Sequence, residues 1–143
     1  MTINQLSIFV ENKPGKIAKI TDHIAKAGID IRALSVADTQ DFGILRLIVN
    51  DTKKAVAALK EKNYIVSSTE IVAVCLPDQP GSLANLLGTL KENDINLEYM
   101  YAFFTRKRDH AYMALRVSDI EKTTKVLVEN GYPAVSAEEL DLI

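Results

Sequence analysis

The sequence predicts an α+β chain built as two tandem βαββαβ units, each an antiparallel sheet with both helices on one face. Three observations predict it. The chain repeats itself: Asn12-Lys13-Pro14-Gly15-Lys16-Ile17-Ala18 returns 66 residues later as Asp78-Gln79-Pro80-Gly81-Ser82-Leu83-Ala84, and Ile29-Asp30-Ile31 returns as Ile95-Asn96-Leu97. Its apolar residues switch between a period of two and a period near 3.6, the marks of strand and helix. Pro, Gly, Asn and Asp punctuate the switches where helices and turns begin and end.

The first unit opens with Leu6, Ile8 and Val10 alternating against Gln5 and Ser7, a half-buried strand. Pro14 fits the first turn of a helix, where its missing N–H is no loss. Ile17, Ile20, Ile24 and Ala27 fall on one stripe, and Gly28 stops the helix. Residues 29–37 read as a second strand. Asp38-Thr39-Gln40-Asp41 turns it into a third at residues 43–49. Asp51 can cap a second helix with Ala55, Val56 and Leu59 inward, and residues 64–68 supply a fourth strand. The second unit is expected to repeat that order. Val72, Val74 and Leu76 alternate, and Leu83, Leu86, Leu87 and Leu90 form a stripe ended by Asn93-Asp94. Ser118 and Glu121 read as a capping box, and Gly131 as a stop. Past Ile31 the offset grows to 68, pairing Val49 with Val117 and Asp51 with Asp119, so two residues are added, most simply in the turn at residues 105–110.

The seam falls at Ser67-Ser68-Thr69, which divides the chain into domains 1–69 and 70–143. Each half would be marginal alone, so a shared interface is expected. A βαββαβ unit closes as a ferredoxin-like sandwich with strand order 4-1-3-2 and its second strand on an edge. The loop after the first strand and the start of that edge strand are expected at the same end, where they could meet a ligand together.

Composition bounds the partners. The chain is 48% hydrophobic and 25% charged with a net charge of −2, so no global field attracts nucleic acid or an anionic membrane. No apolar run approaches a membrane span and the start lacks a signal peptide, so the chain reads as cytoplasmic. One cysteine, Cys75, leaves no internal disulfide and no paired thiolates for a metal.

The paired Pro-Gly loops carry the chemistry. Glycine removes the side chain at a helix mouth, where first-turn N–H groups and the helix dipole favour an anion by roughly 0.3–1 kcal/mol when exposed. Asn12 or Asp78 on the rim could meet an ammonium, and Asp30 or Asn96 adds a polar contact. Such a set recognises a free amino acid. The residues alone leave open a plain helix start in which Pro and Gly are only turn punctuation.

The N/D-x-P-G-x-[IL]-A loop, its helix and the Ile-Asp/Asn-Ile/Leu strand start resemble the ACT domain, and the whole chain resembles two of them in tandem. The resemblance implies a regulatory protein that binds amino acids or similar small carboxylates where two ACT domains pair edge to edge. Carried over, the ligand-binding positions fall on Asn12, Gly15, Lys16 and Ile17, on Asp78, Gly81, Ser82 and Leu83, and on Asp30 and Asn96. Asn96 matches amino-acid-binding members, whereas Asp30 and Lys16 depart from the pattern. Strand 97–105 is apolar on both faces, with Leu97, Tyr99, Tyr101 and Phe103 on one and Met100, Ala102 and Phe104 on the other, so a homodimer or larger assembly is expected. The resemblance implies a separate enzyme as partner, and no cofactor or metal is expected. The alternatives are an oligomerisation scaffold and an accessory subunit of an amino-acid metabolic enzyme.

Other constellations are weaker. His23 and His110 read as solvated, Cys75 as a small buried hydrophobe, and Arg106-Lys107-Arg108 as a solvated hairpin tip. Tyr99, Tyr101 and Phe103 share a strand face with Leu97 and read as packing at a domain or subunit interface. The basic and aromatic run that would mark an RNA-binding sheet is absent from residues 111–116. No Ser-His-acid or Cys-His set has local support, and no Arg precedes Arg32 to serve a phosphate loop, so the chain is not read as an enzyme.

Overall fold

A computed structural model describes residues 2–38, 40–104 and 106–142. Thr39 and Thr105, assigned above to hairpin turns, lie outside the described residues. The elements run β1 (Thr2–Glu11), α1 (Lys16–Lys26), β2 (Ile31–Asp38), β3 (Phe42–Val49), α2 (Thr52–Glu61), β4 (Val66–Pro77), α3 (Ser82–Glu92), β5 (Leu97–Ala102), β6 (His110–Val117), α4 (Ile120–Glu129) and a 3₁₀ turn at Glu138–Leu140. Two compact units result: Asn4–Thr69 with Asp141 and Leu142, and Glu70–Leu140 with Thr2 and Ile3. Ser67, Ser68 and Thr69 form no break, because β4 continues through them. None of the three is a Gly or Pro, so nothing in the local sequence interrupts an extended backbone.

In the first unit the strands lie in the order β2-β3-β1, paired antiparallel. Leu6, Ile8 and Val10 share a face with Leu45 and Leu47, against Ile20 and Ile24 of α1 and Ala55 and Leu59 of α2. The second unit repeats this as β4-β6-β5. There Val72, Val74 and Leu76 pack with Leu86, Leu90, Leu115, Val126 and Leu127. Each fully buried aliphatic side chain contributes about 1.5–3 kcal/mol. The α+β, ferredoxin-like antiparallel class read from the sequence holds.

The four α-helices of the described residues end the same way. Gly28, Asn63, Asp94 and Gly131 stand just past them with φ of 70°, 64°, 55° and 84°. The next residue reaches back five positions each time: Ile29 N–H to Ile24, Tyr64 to Leu59, Ile95 to Leu90 and Tyr132 to Leu127, at 2.9–3.2 Å. This left-handed stop satisfies the last carbonyls and turns an apolar residue back onto the core. At the other end, Asp51 accepts from the Lys54 amide at 3.0 Å and Asp119 from the Lys122 amide at 2.9 Å. The expected box of Ser118 and Glu121 is therefore displaced by one residue, and Asp119 caps α4.

Two further differences bear on function. Both edge strands carry a bulge, between Ile31 and Ala33 in β2 and between Leu97 and Tyr99 in β5. One extra residue reverses the alternation, so Leu97 joins the helix-side core while Tyr101 lies on the other face, opposite Ala114. Among the described residues no strand follows α4. Pro133 cannot donate to a ladder, and Ser136 and Glu139 exchange backbone–side-chain bonds at 3.1 and 3.2 Å. That capping box starts the 3₁₀ turn instead. The segment is anchored through Val135 and Leu140, both buried, and through the Tyr112 hydroxyl, which donates to Glu139 at 3.4 Å.

Candidate functional site

The two Pro-Gly loops are built alike, bond for bond. Asn12 N–H donates to the Asp41 carbonyl at 3.0 Å, and Asp78 N–H to the Asp109 carbonyl at 2.9 Å, tying each loop to the following hairpin. Lys16 N–H closes a turn onto Lys13, and Ser82 N–H onto Gln79, both at 3.3 Å. Gly15 and Gly81 then cap α1 and α3 with φ of 81° and 91° and with no side chain to occupy the helix mouth. A Cβ on either glycine would meet no atom within 4 Å. These glycines are therefore required by backbone conformation, not by packing, and the space in front of them is open. Ile17 and Ala18, and likewise Leu83 and Ala84, find no acceptor for their amides among the described residues. Two donors at the positive end of each helix dipole can thus receive an anion.

The strand positions lie elsewhere. Val10 pairs with Gly43 and Gly43 with Asp38, so the first loop sits at the end of β2, whereas Ile31 pairs with Val49 at its start. The second unit repeats this, with Pro77 opposite His110 and Leu97 opposite Val117. Along a strand this separation is about 20 Å. The expectation that loop and strand start meet within one unit is corrected. A crossover helix carries the chain back to the beginning of a parallel path, so the two lie at opposite ends. Asn12, Gly15, Lys16 and Ile17 are together, as are Asp78, Gly81, Ser82 and Leu83. Asp30 and Asn96 are apart from them.

Asn96 lines a pocket of about 340 Å³ together with Leu87, Leu90, Lys91, Asp94, Ile95 and Leu97. Its lining combines four apolar side chains with one cation, one anion and one amide. Sequence reasoning missed Lys91, and it read Asp94 only as part of a helix end. Asp30 has a different environment. Its N–H is held by the Asn50 side chain at 2.9 Å, and its carboxylate pairs with Arg32 at 3.1 Å.

The loops also differ in charge. Glu11 pairs with Lys13 at 3.0 Å, and the Lys13 bond, with the charges of Lys13 and Lys16, holds the Glu11 carboxyl below its ordinary pKa. The matching residues of the second loop, Pro77, Gln79 and Ser82, carry no charge.

The other candidates read from the sequence are structural. His23 packs against Tyr64 with ring centroids 5.9 Å apart rather than standing in solvent. His110 bonds the Arg108 carbonyl through Nδ1 at 2.9 Å. Cys75 is buried opposite Tyr112, where burial first, then Cys75 and Glu139, push the tyrosine hydroxyl well above its ordinary pKa. Tyr101 and Phe103 are buried within the chain itself. Among the described residues no cluster of His, Cys, Asp and Glu could hold a metal, and no helix is long and apolar enough to cross a membrane.

Comparison with known proteins agrees with the fold. Protein BT0572 from Bacteroides thetaiotaomicron, of solved structure, is 39% identical, covers 100% of this chain and 98% of its own, and superposes with a TM-score of 0.91. The regulatory subunits of aspartate kinase from Thermus thermophilus and Thermus flavus share the fold at 13% and 14% identity. Their TM-scores are 0.64 and 0.59, and each match covers 90% of this chain and 94% of theirs. No curated protein matches. The family model described as an ACT domain pair matches residues 1–143, and the chain belongs to that family.

Proposed function

We propose that this ACT pair is a regulatory protein that senses a small carboxylate, a free amino acid first among them, and that its complete site is assembled from two ACT units. The observation that carries this reading is the twice-built loop: an uncapped helix mouth behind an open glycine, with two unpaired amides. The ligand carboxylate takes the Leu83 and Ala84 amides. Its ammonium takes Asp78 on the loop or Asp94 beside Asn96. A loop and a strand start lie about 20 Å apart in one unit, so each site joins the loop of one copy to the strand start of another across antiparallel edges.

Edge strand β2 supports such pairing, because Leu34 and Val36 stay exposed on the side of the sheet that the helices cover elsewhere. A homodimer follows. The second loop is the better site, since Asp30 is engaged with Arg32 and the first loop carries its own ion pair. The chain acts in the cytoplasm by passing its ligand state to a partner enzyme; the likeness in fold to aspartate kinase regulatory subunits supports that role over catalysis.

Thermal-shift measurement against the twenty amino acids tests the reading, with sedimentation at tens of micromolar for the dimer. At least one amino acid raises the melting temperature in the wild type and fails to do so in Gly81→Val. A protein that responds to none would leave the oligomerisation scaffold.

A further inference from the structure

The guanidinium of Arg32 is the least expected charge in the first unit. Only 7% of the side chain is exposed, although it stands at the bulge of an edge strand. A buried guanidinium requires anionic partners. The second unit shows how a sheet can supply a partner at this place: Glu98, the matching bulge residue, pairs with Arg116 of β6 at 3.0 Å. In the first unit the position of Arg116 is taken by Ile48, fully buried and apolar. That position therefore offers Arg32 no counter-charge. Nη1 turns to Asp30 at 3.1 Å, and Nη2 is met at 3.2 Å by Asp141, which arrives from the far end of the sequence.

Asp141 holds this place in an unusual backbone state. Its φ is +54°, a region that residues other than glycine visit rarely, Asn and Asp most readily. Its side chain is half exposed while that of its arginine is not, with 50% against 7%. The anion is thus open to water on one side and the cation is fixed by its surroundings. A carboxylate from solution can take the same Nη2 without disturbing the strand, provided that Asp141 leaves.

We propose that Arg32 is a carboxylate-binding site which the chain fills with its own Asp141, so that the C-terminal segment competes with small free dicarboxylates. This site lies at the start of β2, about 20 Å along the strand from the Pro-Gly loop of the same unit, and it rests on Arg32 and Asp141 and not on the loop amides. Arg32 fixes one carboxylate of the ligand by a charge-assisted bond in place of Asp141, and a second carboxylate projects to solvent on the side where Asp141 is exposed.

The test uses the full chain and succinate, which lacks the ammonium an amino-acid site requires. Asp141→Asn keeps the shape of the segment and removes the competing charge. Calorimetry should show succinate binding at least tenfold more tightly to Asp141→Asn than to the wild type, and the gain should disappear in Asp141→Asn/Arg32→Gln. If the double variant does not fold, the Arg32 Nε–Hε resonance of Asp141→Asn is followed instead, and it should move as succinate is added. Equal affinity in wild type and Asp141→Asn, binding that survives loss of Arg32, or a stationary Arg32 resonance each overturns the proposal and leaves Asp141 as a structural tether.

Discussion

Gly81 and Asn96 sit at opposite ends of β6: the loop of the first is bonded to the residue before His110, and the strand of the second pairs with Val117. If both touch one ligand, they belong to different copies. Variants Gly81→Val and Asn96→Ala should then complement each other. Each alone binds weakly or not at all, and a mixture exchanged through mild denaturation recovers high-affinity sites measurable by calorimetry. A mixture no better than the sum of its parts would show that ligand and both residues do not share a site.

Two glycines of the second unit separate strain from crowding. A methyl added to the Cα of Gly81 or of Gly88 would meet no atom within 4 Å, but only Gly81 has a positive φ. Gly81→Ala should cost about 1–2 kcal/mol in urea unfolding, the left-handed penalty of an L residue. Gly88→Ala, inside α3, should gain about 0.8–1 kcal/mol. Opposite signs at equally open positions are the expected result.

The aspartate caps give a third measurement. Asp51→Ala and Asp119→Ala should each destabilise by about 1 kcal/mol, and Ser118→Ala by much less. The caps sit on different units with no shared partner, so the double variant should be additive.

Glu139 makes stability depend on acid. The Ser136 amide, then the Lys107 charge and the Tyr112 hydroxyl, lower its pKa below the ordinary 4.5. A group whose folded pKa is depressed contributes stability above its unfolded value and loses it as pH falls through the folded one. Between pH 7 and 5 the wild type should therefore exceed Glu139→Gln in melting temperature. The two curves should converge below 4.5. A constant gap across that range would assign the effect to shape and not to charge.

The fold was legible because its signals are local and doubled. Gly28 and Gly131 named two helix ends outright, and Asp94 could be read by its offset from Gly28. The added residues fell in the second hairpin, where β5 and β6 leave a longer turn than β2 and β3. The errors came where one residue changes the meaning of its neighbours. A bulge at Glu98 turned Leu97 to the opposite face, and a one-residue shift moved the cap from Ser118 to Asp119. The site was legible as two loops and not as an arrangement, since which end of a crossover a residue occupies follows from topology and not from spacing. Arg32 gave no signal, because its partner Asp141 is more than a hundred positions away.

The bulges also limit how far either edge strand can serve as a template. An edge strand with a regular backbone is a template that can add chain after chain. Here β2 is regular only past Ala33 and β5 only past Tyr99, and at each bulge a charged residue, Arg32 or Glu98, stands out of step with its neighbours. A second copy can align with the regular stretch and find no continuing ladder beyond it. If the proposed pairing of copies runs along such an edge, growth is expected to stop after one addition, which favours closed assemblies over fibres.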